Sequence, residues 1–210
     1  MRSTKPDLRP HSELHTSQRG KGFIFTKEAA DPEITKHTHW PGYASGVTIG
    51  PGYDTKFRTQ EQIVCGLMSI GVAKERAQVL AAAGKLQRDS RKPGLTGKAA
   101  KEFAERHAKD VTLTLAQQKA LLDQMLPAYE ADIRRFVHVP LTQNQFDALV
   151  SFDYNKGAKY LQEIAPVLNK GDYEHAARIL EHFDDKGPPG VRMRRYAEAA
   201  KFRFSAPGDQ

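Results

Sequence analysis

The sequence lacks the features that would tie the fold to an oxidising compartment or to a membrane. It contains one cysteine, Cys65, so no disulfide can form within the chain. No apolar run approaches the length of about 20 residues that a membrane-spanning helix needs, and we expect no membrane insertion. The first 22 residues carry charges without the apolar core of a secretory signal. We therefore expect synthesis in the cytoplasm without a signal peptide.

The composition indicates an ordinary globular protein with an excess of positive charge. The 210 residues are 39% hydrophobic and 27% charged, with a formal net charge of +7. Such a charge favours polyanionic partners: nucleic acid, anionic lipid or the acidic polymers of a bacterial envelope. It is equally explained by solubility alone. No nucleic-acid-binding motif is present and few aromatic residues lie among the basic ones, so we expect no nucleic-acid partner.

Local patterns near the N-terminus predict a tail, a short helix and a small β-element. Residues 1–22 are polar, basic and without periodicity, which indicates a flexible tail or linker. Order is expected to begin at "GFIFTKEAA", with Thr26 as the N-cap of a short helix that contains Glu28 near its start. From Trp40 to Asp54, glycines interrupt short β-like runs, which predicts a hairpin.

The rest of the chain predicts roughly six to eight helices. Three capping boxes, at Thr59, Thr114 and Thr142, mark helix starts. Pro127 is expected to kink or split the long helix after Thr114. Residues 205–210 should form a disordered tail. The fold class is thus α+β and mostly helical, with a single domain over residues 23–204.

The densest chemistry lies in "SGVTIGPGYD", residues 45–54. It places Thr48 in an extended run and Asp54 after a turn rich in glycine. Glycoside hydrolysis usually needs two carboxyl groups, one to donate a proton and one ionised, and Glu28 and Asp54 are of the right types. Taken singly, Glu28 is explained as a surface residue and Asp54 as a turn former. Spacing alone does not choose between these interpretations.

Three segments together resemble one family. "SGVTIGPGYD" is similar to the active-site hairpin of the phage-type lysozyme superfamily, in its pesticin-like branch. "LTQNQFDALVSFDYNKG" resembles the helix typical of phage-type lysozymes, and "PGVRMRRYAEAAKF" resembles their C-terminal region. The matches occur in the family's order and cover roughly residues 22–204. The resemblance implies a lysozyme-like fold, a small β-element followed by a helical lobe, and no metal or other cofactor.

The resemblance also implies roles for individual residues. Glu28 matches the family's general acid, Thr48 the threonine that helps to hold the attacking water, and Asp54 the base or electrostatic partner of the transition state. The sequence departs from the family by following Glu28 with Ala29 instead of glycine. Glu33 is a rival acid in the long segment before the hairpin, although it follows a proline and is expected to be exposed.

Other residues have two interpretations. Trp40 and Tyr53 either stack on sugar rings or pack the hairpin, and Gln145 and Asn155 are candidates to line the cleft. Arg194 and Arg195 are expected to make structural ion pairs.

The resemblance implies a peptidoglycan hydrolase that cuts the β-1,4 bond between N-acetylmuramic acid and N-acetylglucosamine. Its partner would be the glycan strand, and we expect it to work as a monomer. It would act on the cell wall after delivery, as an antibacterial toxin, an effector or an endolysin. If it is a toxin, the producer should hold an immunity protein that plugs the cleft.

Three alternatives remain open. His37 and His39 could belong to a metallopeptidase, but the chain has no His-Glu-x-x-His motif. Cys65 could serve a peptidoglycan amidase, but it lies in an apolar run, which predicts an inert core thiol. A module that binds peptidoglycan without catalysis is the third.

Overall fold

The structure, a computed structural model, describes residues 7–29, 31–86 and 91–204. A short 3-10 helix covers His11–Glu13. The α-helices are α1 Gln18–Glu28, α2 Pro32–Thr35, α3 Gln60–Ser69, α4 Lys74–Ala81, α5 Gly97–His107, α6 Leu115–Phe136, α7 Gln143–Lys156, α8 Ala158–Leu168, α9 Tyr173–His182 and α10 Pro189–Arg203. The strands are β1 Thr38–His39, β2 Thr48–Ile49 and β3 Tyr53–Asp54, which form one antiparallel sheet in the order β1-β2-β3.

This architecture confirms the predicted fold class. In the part of the chain that the structure describes, eight α-helices follow the sheet, within the predicted range. None of the helices described is long and apolar enough to cross a membrane. All three capping boxes form as expected. In each, the threonine hydroxyl accepts a backbone N–H from the glutamine three residues later, and the glutamine side chain accepts the threonine N–H.

The chain divides into two compact units. The helical unit comprises Met1–Ile24 and Leu126–Gln210, and the hairpin unit comprises Phe25–Met125. Each unit has its own buried apolar side chains. In the helical unit these include Phe146, Phe152, Leu180 and Phe202. In the hairpin unit they include Val47, Ile49, Ile63, Leu67, Leu80 and Leu121.

Residues 7–22 are ordered, unlike the flexible tail that was expected. Arg9 and Leu141 exchange two backbone hydrogen bonds of 2.9 Å. Leu14 is buried, and α1 already begins at Gln18. The order of this segment could not be predicted from its polar sequence, because its hydrogen-bond partners, such as Leu141, lie more than a hundred residues away in the chain. Residues 1–6 and 205–210, the remainder of the two predicted tails, lie outside the described residues.

The start of α1 is fixed by a buried carboxylate more than a hundred residues away. The hydroxyl of Ser17 accepts the N–H of Gly20 at 3.0 Å, as an N-cap does. Asp147, fully buried on α7, accepts the N–H of Ser17 at 3.0 Å and its hydroxyl at 2.6 Å. Thr26 is therefore not an N-cap but lies inside α1, and Glu28 ends that helix instead of beginning one.

Pro127 does not split the long helix. α6 runs over 22 residues with Pro127 inside it. A proline has no N–H to donate to the carbonyl four residues earlier, but the turns on both sides continue the helix.

The predicted structural role of Arg194 and Arg195 is confirmed. Arg195 is fully buried; its Nε lies 3.0 Å from Asp184 Oδ2, and its guanidinium also pairs with Glu198. Arg194 Nε donates to Glu198 Oε1 at 3.0 Å. Because Glu198 is itself fully buried, these ion pairs satisfy a charge that would otherwise be costly inside the helical unit.

Candidate active site

The sheet brings Thr48 and Asp54 together on one face. In the β2–β3 pair Thr48 lies directly opposite Asp54, and in the β1–β2 pair it lies opposite His39. Residues directly opposite in an antiparallel pair project to the same side of the sheet. A hydroxyl on the central strand is therefore flanked by a carboxyl and an imidazole.

The carboxyl group of Asp54 is held by the backbone of its own loop. Oδ2 accepts the N–H of Gly46 at 3.2 Å, and Oδ1 accepts the N–H of Lys56 at 2.7 Å. A Cβ on residue 46 would lie 2.2 Å from Oδ1 of Asp54, so only glycine fits there. These contacts with the backbone of Gly46 and Lys56 fix the orientation of the carboxyl group.

The turn between β2 and β3 depends on Gly50. Gly50 has φ +59°, which favours glycine, and a Cβ there would lie 2.9 Å from Leu121 Cδ2. The turn therefore packs against α6, in the interior of the hairpin unit. Thr48 itself is only 4% exposed.

Glu28 is half-buried at the last position of α1. The N–H of Ala29 still donates to the carbonyl of Phe25 at 2.8 Å, which continues the helical pattern one residue further. Glu33 in α2 has a side chain that is 78% exposed and pairs with Lys36, so the expected exposure of this rival acid is confirmed.

The segment between Glu28 and the hairpin is anchored to the hairpin unit. The hydroxyl of Thr35 donates to Oε1 of Gln118 at 2.8 Å. The N–H of Leu113 donates to the carbonyl of Lys36 at 2.8 Å. These bonds fix the path of the chain from α2 into β1.

Tyr53 and Trp40 pack the hairpin. Tyr53 is 4% exposed, its hydroxyl donates to the carbonyl of Gln62 at 3.3 Å, and the guanidinium of Arg58 lies 4.1 Å from its ring centre. Burial raises the pKa of Tyr53. The indole N–H of Trp40 donates to the carbonyl of Ser45 at 3.2 Å, and its ring packs against the buried cluster of Val47, Ala83, Ala100 and Ala104.

Gln145 and Asn155 belong to the helical unit, and both side chains are used inside it. Gln145 closes the capping box of α7 by accepting the N–H of Thr142 at 2.9 Å. Asn155 accepts a hydrogen bond from Arg195. Their predicted role in lining a cleft stays a prediction.

From the sequence, His39 is considered only as a possible metallopeptidase residue, and the structure places it opposite Thr48. His39 on β1 and Asp54 on β3 therefore lie on the two sides of Thr48. The Nδ1 atom of His39 lies 3.0 Å from the carbonyl of His37. Burial lowers the pKa of His39, which favours the neutral ring. A cleft of about 230 Å³ opens beside it. The cleft is lined by Thr38, His39, Trp40, Lys101, Ala104, Glu105 and Ala108.

Two exposed aromatic residues of the hairpin unit have no role assigned from the sequence. Tyr43 is 95% exposed and Phe57 is 71% exposed. The dipeptide Pro41-Gly42 before Tyr43 is a turn signal that could have indicated an outward position.

The structure bears on two of the alternative chemistries. Among the residues that it describes, no three histidine, cysteine, aspartate or glutamate side chains are grouped as a metal site would need. Cys65 is exposed, so the prediction of a core thiol is wrong. α3 buries Ile63 and Leu67, and Cys65, two residues from each, falls on the opposite side of that helix.

A family model described as "Domain of unknown function (DUF8812)" matches residues 23–181. Two curated relatives are endolysins. The endolysin of Bacillus phage PZA is 33% identical over 100 residues, which are 45% of this chain and 39% of that protein. The endolysin of Acyrthosiphon pisum secondary endosymbiont phage 1 is 33% identical over 99 residues, 43% of this chain and 68% of that protein. The chain thus spans well under half the length of the first relative and about two thirds of the second.

Solved structures show the same fold. A mutant of P22 lysozyme superposes with a TM-score of 0.56 at 21% identity, covering 91% of this chain and 99% of that one. The muramidase domain of SpmX from Asticaccaulis excentricus gives a TM-score of 0.54 at 20% identity, with the same coverage of 91% and 99%. With a small antiparallel sheet followed by helices, this protein has the lysozyme-like fold. The chain belongs to the DUF8812 family and, through its endolysin relatives and its fold, to the phage-type lysozyme superfamily.

Proposed function

We propose that this protein is a peptidoglycan hydrolase that cleaves the β-1,4 bond between N-acetylmuramic acid and N-acetylglucosamine. The observation that carries the proposal is the pairing of Thr48 with Asp54 on one face of the hairpin, with the Asp54 carboxyl group fixed by two backbone N–H groups. The endolysin relatives and the lysozyme-like fold support the same class of reaction.

In the proposed mechanism Glu28 is the general acid. It donates its proton to the glycosidic oxygen, the bond from that oxygen to the anomeric carbon breaks, and positive charge develops on the sugar ring. The carboxylate of Asp54 stabilises that charge or takes a proton from the attacking water. The water oxygen then bonds to the anomeric carbon, and the proton that it loses passes to Asp54 or, where Asp54 only stabilises the charge, to solvent, which completes the hydrolysis.

Thr48 would hold the attacking water through its hydroxyl. The nearly buried position of Thr48 suits this role, because a hydroxyl fixed by packing orients a single water better than a mobile one. If water attacks directly, the product has inverted configuration, and the two carboxyl groups then need more separation than in a retaining enzyme.

The net charge of +7 suits a substrate whose peptide stems carry carboxylates. We propose that the protein acts on the wall as a monomer after delivery, as an endolysin, a toxin or an effector. For a toxin, an immunity protein of the producer would occupy the hairpin face.

An amidase, a peptidase and a non-catalytic wall binder are the competing functions. Chelation would stop a metallopeptidase, and modification of the exposed Cys65 would stop a cysteine amidase. A wall binder would sediment with sacculi and release nothing. Our proposal expects lysis to survive both treatments.

The decisive experiment is mass spectrometry of the fragments released from purified sacculi. A muramidase releases disaccharide-peptides that end in reducing N-acetylmuramic acid. Reducing N-acetylglucosamine ends, free stem peptides or no products at all would each overturn the proposal.

A further inference from the structure

The backbone of Tyr43 is unusual for a residue with a side chain. Its φ is +51°, and within the described residues it is the only non-glycine with a positive φ. Such a conformation is uncommon for an aromatic residue and is retained only where the surroundings impose it. The ring is at the same time 95% exposed, so packing of the ring cannot be what imposes the conformation.

The loop around Tyr43 is held by hydrogen bonds on both sides of that residue. The indole N–H of Trp40 donates to the carbonyl of Ser45 at 3.2 Å, and the N–H of Ser45 donates to the carbonyl of Gly42 at 3.1 Å. The ammonium group of Lys56 donates to the carbonyl of Ala44 at 2.9 Å. The exposed ring therefore projects from a fixed backbone.

Lys56 connects this loop to a second exposed ring and to Asp54. Its ammonium group lies 4.7 Å from the ring centre of Phe57, which is 71% exposed. Its backbone N–H donates to Oδ1 of Asp54 at 2.7 Å. Lys56 therefore contacts the Phe57 ring, the loop that carries Tyr43 and the backbone-held carboxyl group of Asp54. The proposed mechanism places Asp54 beside the reacting sugar.

We propose that Tyr43, Lys56 and Phe57 form a sugar-binding platform for the glycan strand next to Asp54; this rests on the proposed function. A pyranose ring presents C–H groups on its flat face, which pack against an aromatic ring, and tyrosine is enriched at interfaces because it joins an apolar ring to a polar hydroxyl. Lys56 would pair with a carboxylate of the peptide stem that is attached to N-acetylmuramic acid. A fixed loop lowers the entropy cost of binding.

The binding test uses the Glu28→Gln variant, so that substrate is not consumed, with purified sacculi and tetra-N-acetylglucosamine as probes. Tyr43→Asn removes the ring and keeps a residue that tolerates positive φ, so the loop should fold. We expect about tenfold weaker binding to both probes, and retention of binding in Tyr43→Trp. Tyr196→Gln, at an exposed tyrosine of α10, is the matched control and should bind normally.

A kinetic test uses the chain with Glu28 intact. Tyr43→Asn should raise the sacculus concentration for half-maximal rate far more than it lowers the maximal rate. If Tyr43→Asn changes neither the binding to the two probes nor the sacculus concentration for half-maximal rate, the platform is overturned, even if the protein proves to be a muramidase. Binding that depends on Tyr43 without glycan cleavage would support the platform and overturn the muramidase. Tyr43-dependent binding to phosphatidylglycerol vesicles, but not to sacculi, would overturn the platform.

Discussion

Thr48 and Asp54 lie directly opposite one another in the β2–β3 pair. A shift of that register by one residue would turn Thr48 to the other face of the sheet and place Ile49 beside the carboxyl group instead. The tight turn at Gly50 keeps this register. The pairing of Thr48 with Asp54 therefore depends on the backbone conformation of the turn.

We expect Glu28→Gln and Asp54→Asn each to lower the rate of wall lysis by at least about a hundredfold, because each removes a group that transfers a proton or stabilises charge. Asparagine can still accept the N–H of Lys56 but loses the bond to Gly46, so Asp54→Asn should also cost about 1 kcal/mol in the free energy of unfolding. Turbidity of a sacculus suspension and urea denaturation measure the two effects.

Lysis by both variants at the rate of the unaltered protein would show that these carboxyl groups are not the catalytic pair. Glu33→Gln is the matched control for Glu28→Gln. Its side chain is exposed and pairs with Lys36, so lysis should be retained.

Thr48 offers a test of the role of its hydroxyl. Thr48→Ser keeps the hydroxyl and should retain most of the activity, whereas Thr48→Val keeps the shape and should lower kcat. Because Thr48 is nearly buried and Thr48→Val replaces a hydroxyl by a methyl group there, urea denaturation of both variants checks that the fold is kept. Equal activity in the two variants would argue against a hydroxyl that orients water.

Asp153 predicts a pH dependence of stability in the helical unit. It is fully buried on α7, neither of its oxygens has a hydrogen-bond donor, and the charge that acts on it comes from another carboxyl group, Asp132 of α6. Burial first, and Asp132 second, raise the pKa of Asp153 from 3.8 to about 7.

The folded chain therefore keeps a proton on Asp153 between about pH 4 and pH 7 that the unfolded chain has lost. The free energy of unfolding should fall as pH rises through this range. Asp153→Asn should flatten the slope and raise the urea midpoint at pH 8, since an amide can donate to Asp132. Glu163→Gln, at an exposed residue of α8, should leave the slope unchanged. A slope that persists in Asp153→Asn would contradict the assignment.

The buried ion pairs of α10 predict a large difference between two arginine substitutions. Arg195→Ala leaves the buried Glu198 with one partner fewer and should destabilise the protein by about 3–5 kcal/mol. Arg178→Ala breaks an exposed pair with Glu174, in which both side chains are more than half exposed, and should cost under about 1 kcal/mol. Similar urea midpoints for the two variants would contradict this account.

Local sequence patterns were sufficient where neighbouring residues decide the structure. The three capping boxes and the hairpin between Trp40 and Asp54 formed as predicted, because each depends on side chains within a few positions. The exposure of Glu33 could likewise be predicted, since it lies in the first turn of a short helix behind a proline.

The tertiary structure decided what depends on distant partners. Asp147 holds Ser17, which caps α1. The helix therefore begins at Gln18, earlier in the chain than the predicted N-cap Thr26, and Glu28 lies at its end. The packing of α3 turned Cys65 outward. Tyr53 is buried in the hairpin unit and Tyr43 is exposed, although each directly follows a glycine in the sequence.

The sequence by itself determined the fold class, the starts of the three helices that carry capping boxes and the presence of a threonine and an aspartate on a short hairpin, because hydrophobic periodicity and turn chemistry are local. Only the tertiary structure decided which side chains share a face, which carboxyl groups are buried and which aromatic rings meet solvent. Those properties arise from contacts between residues far apart in the chain, which no local pattern contains.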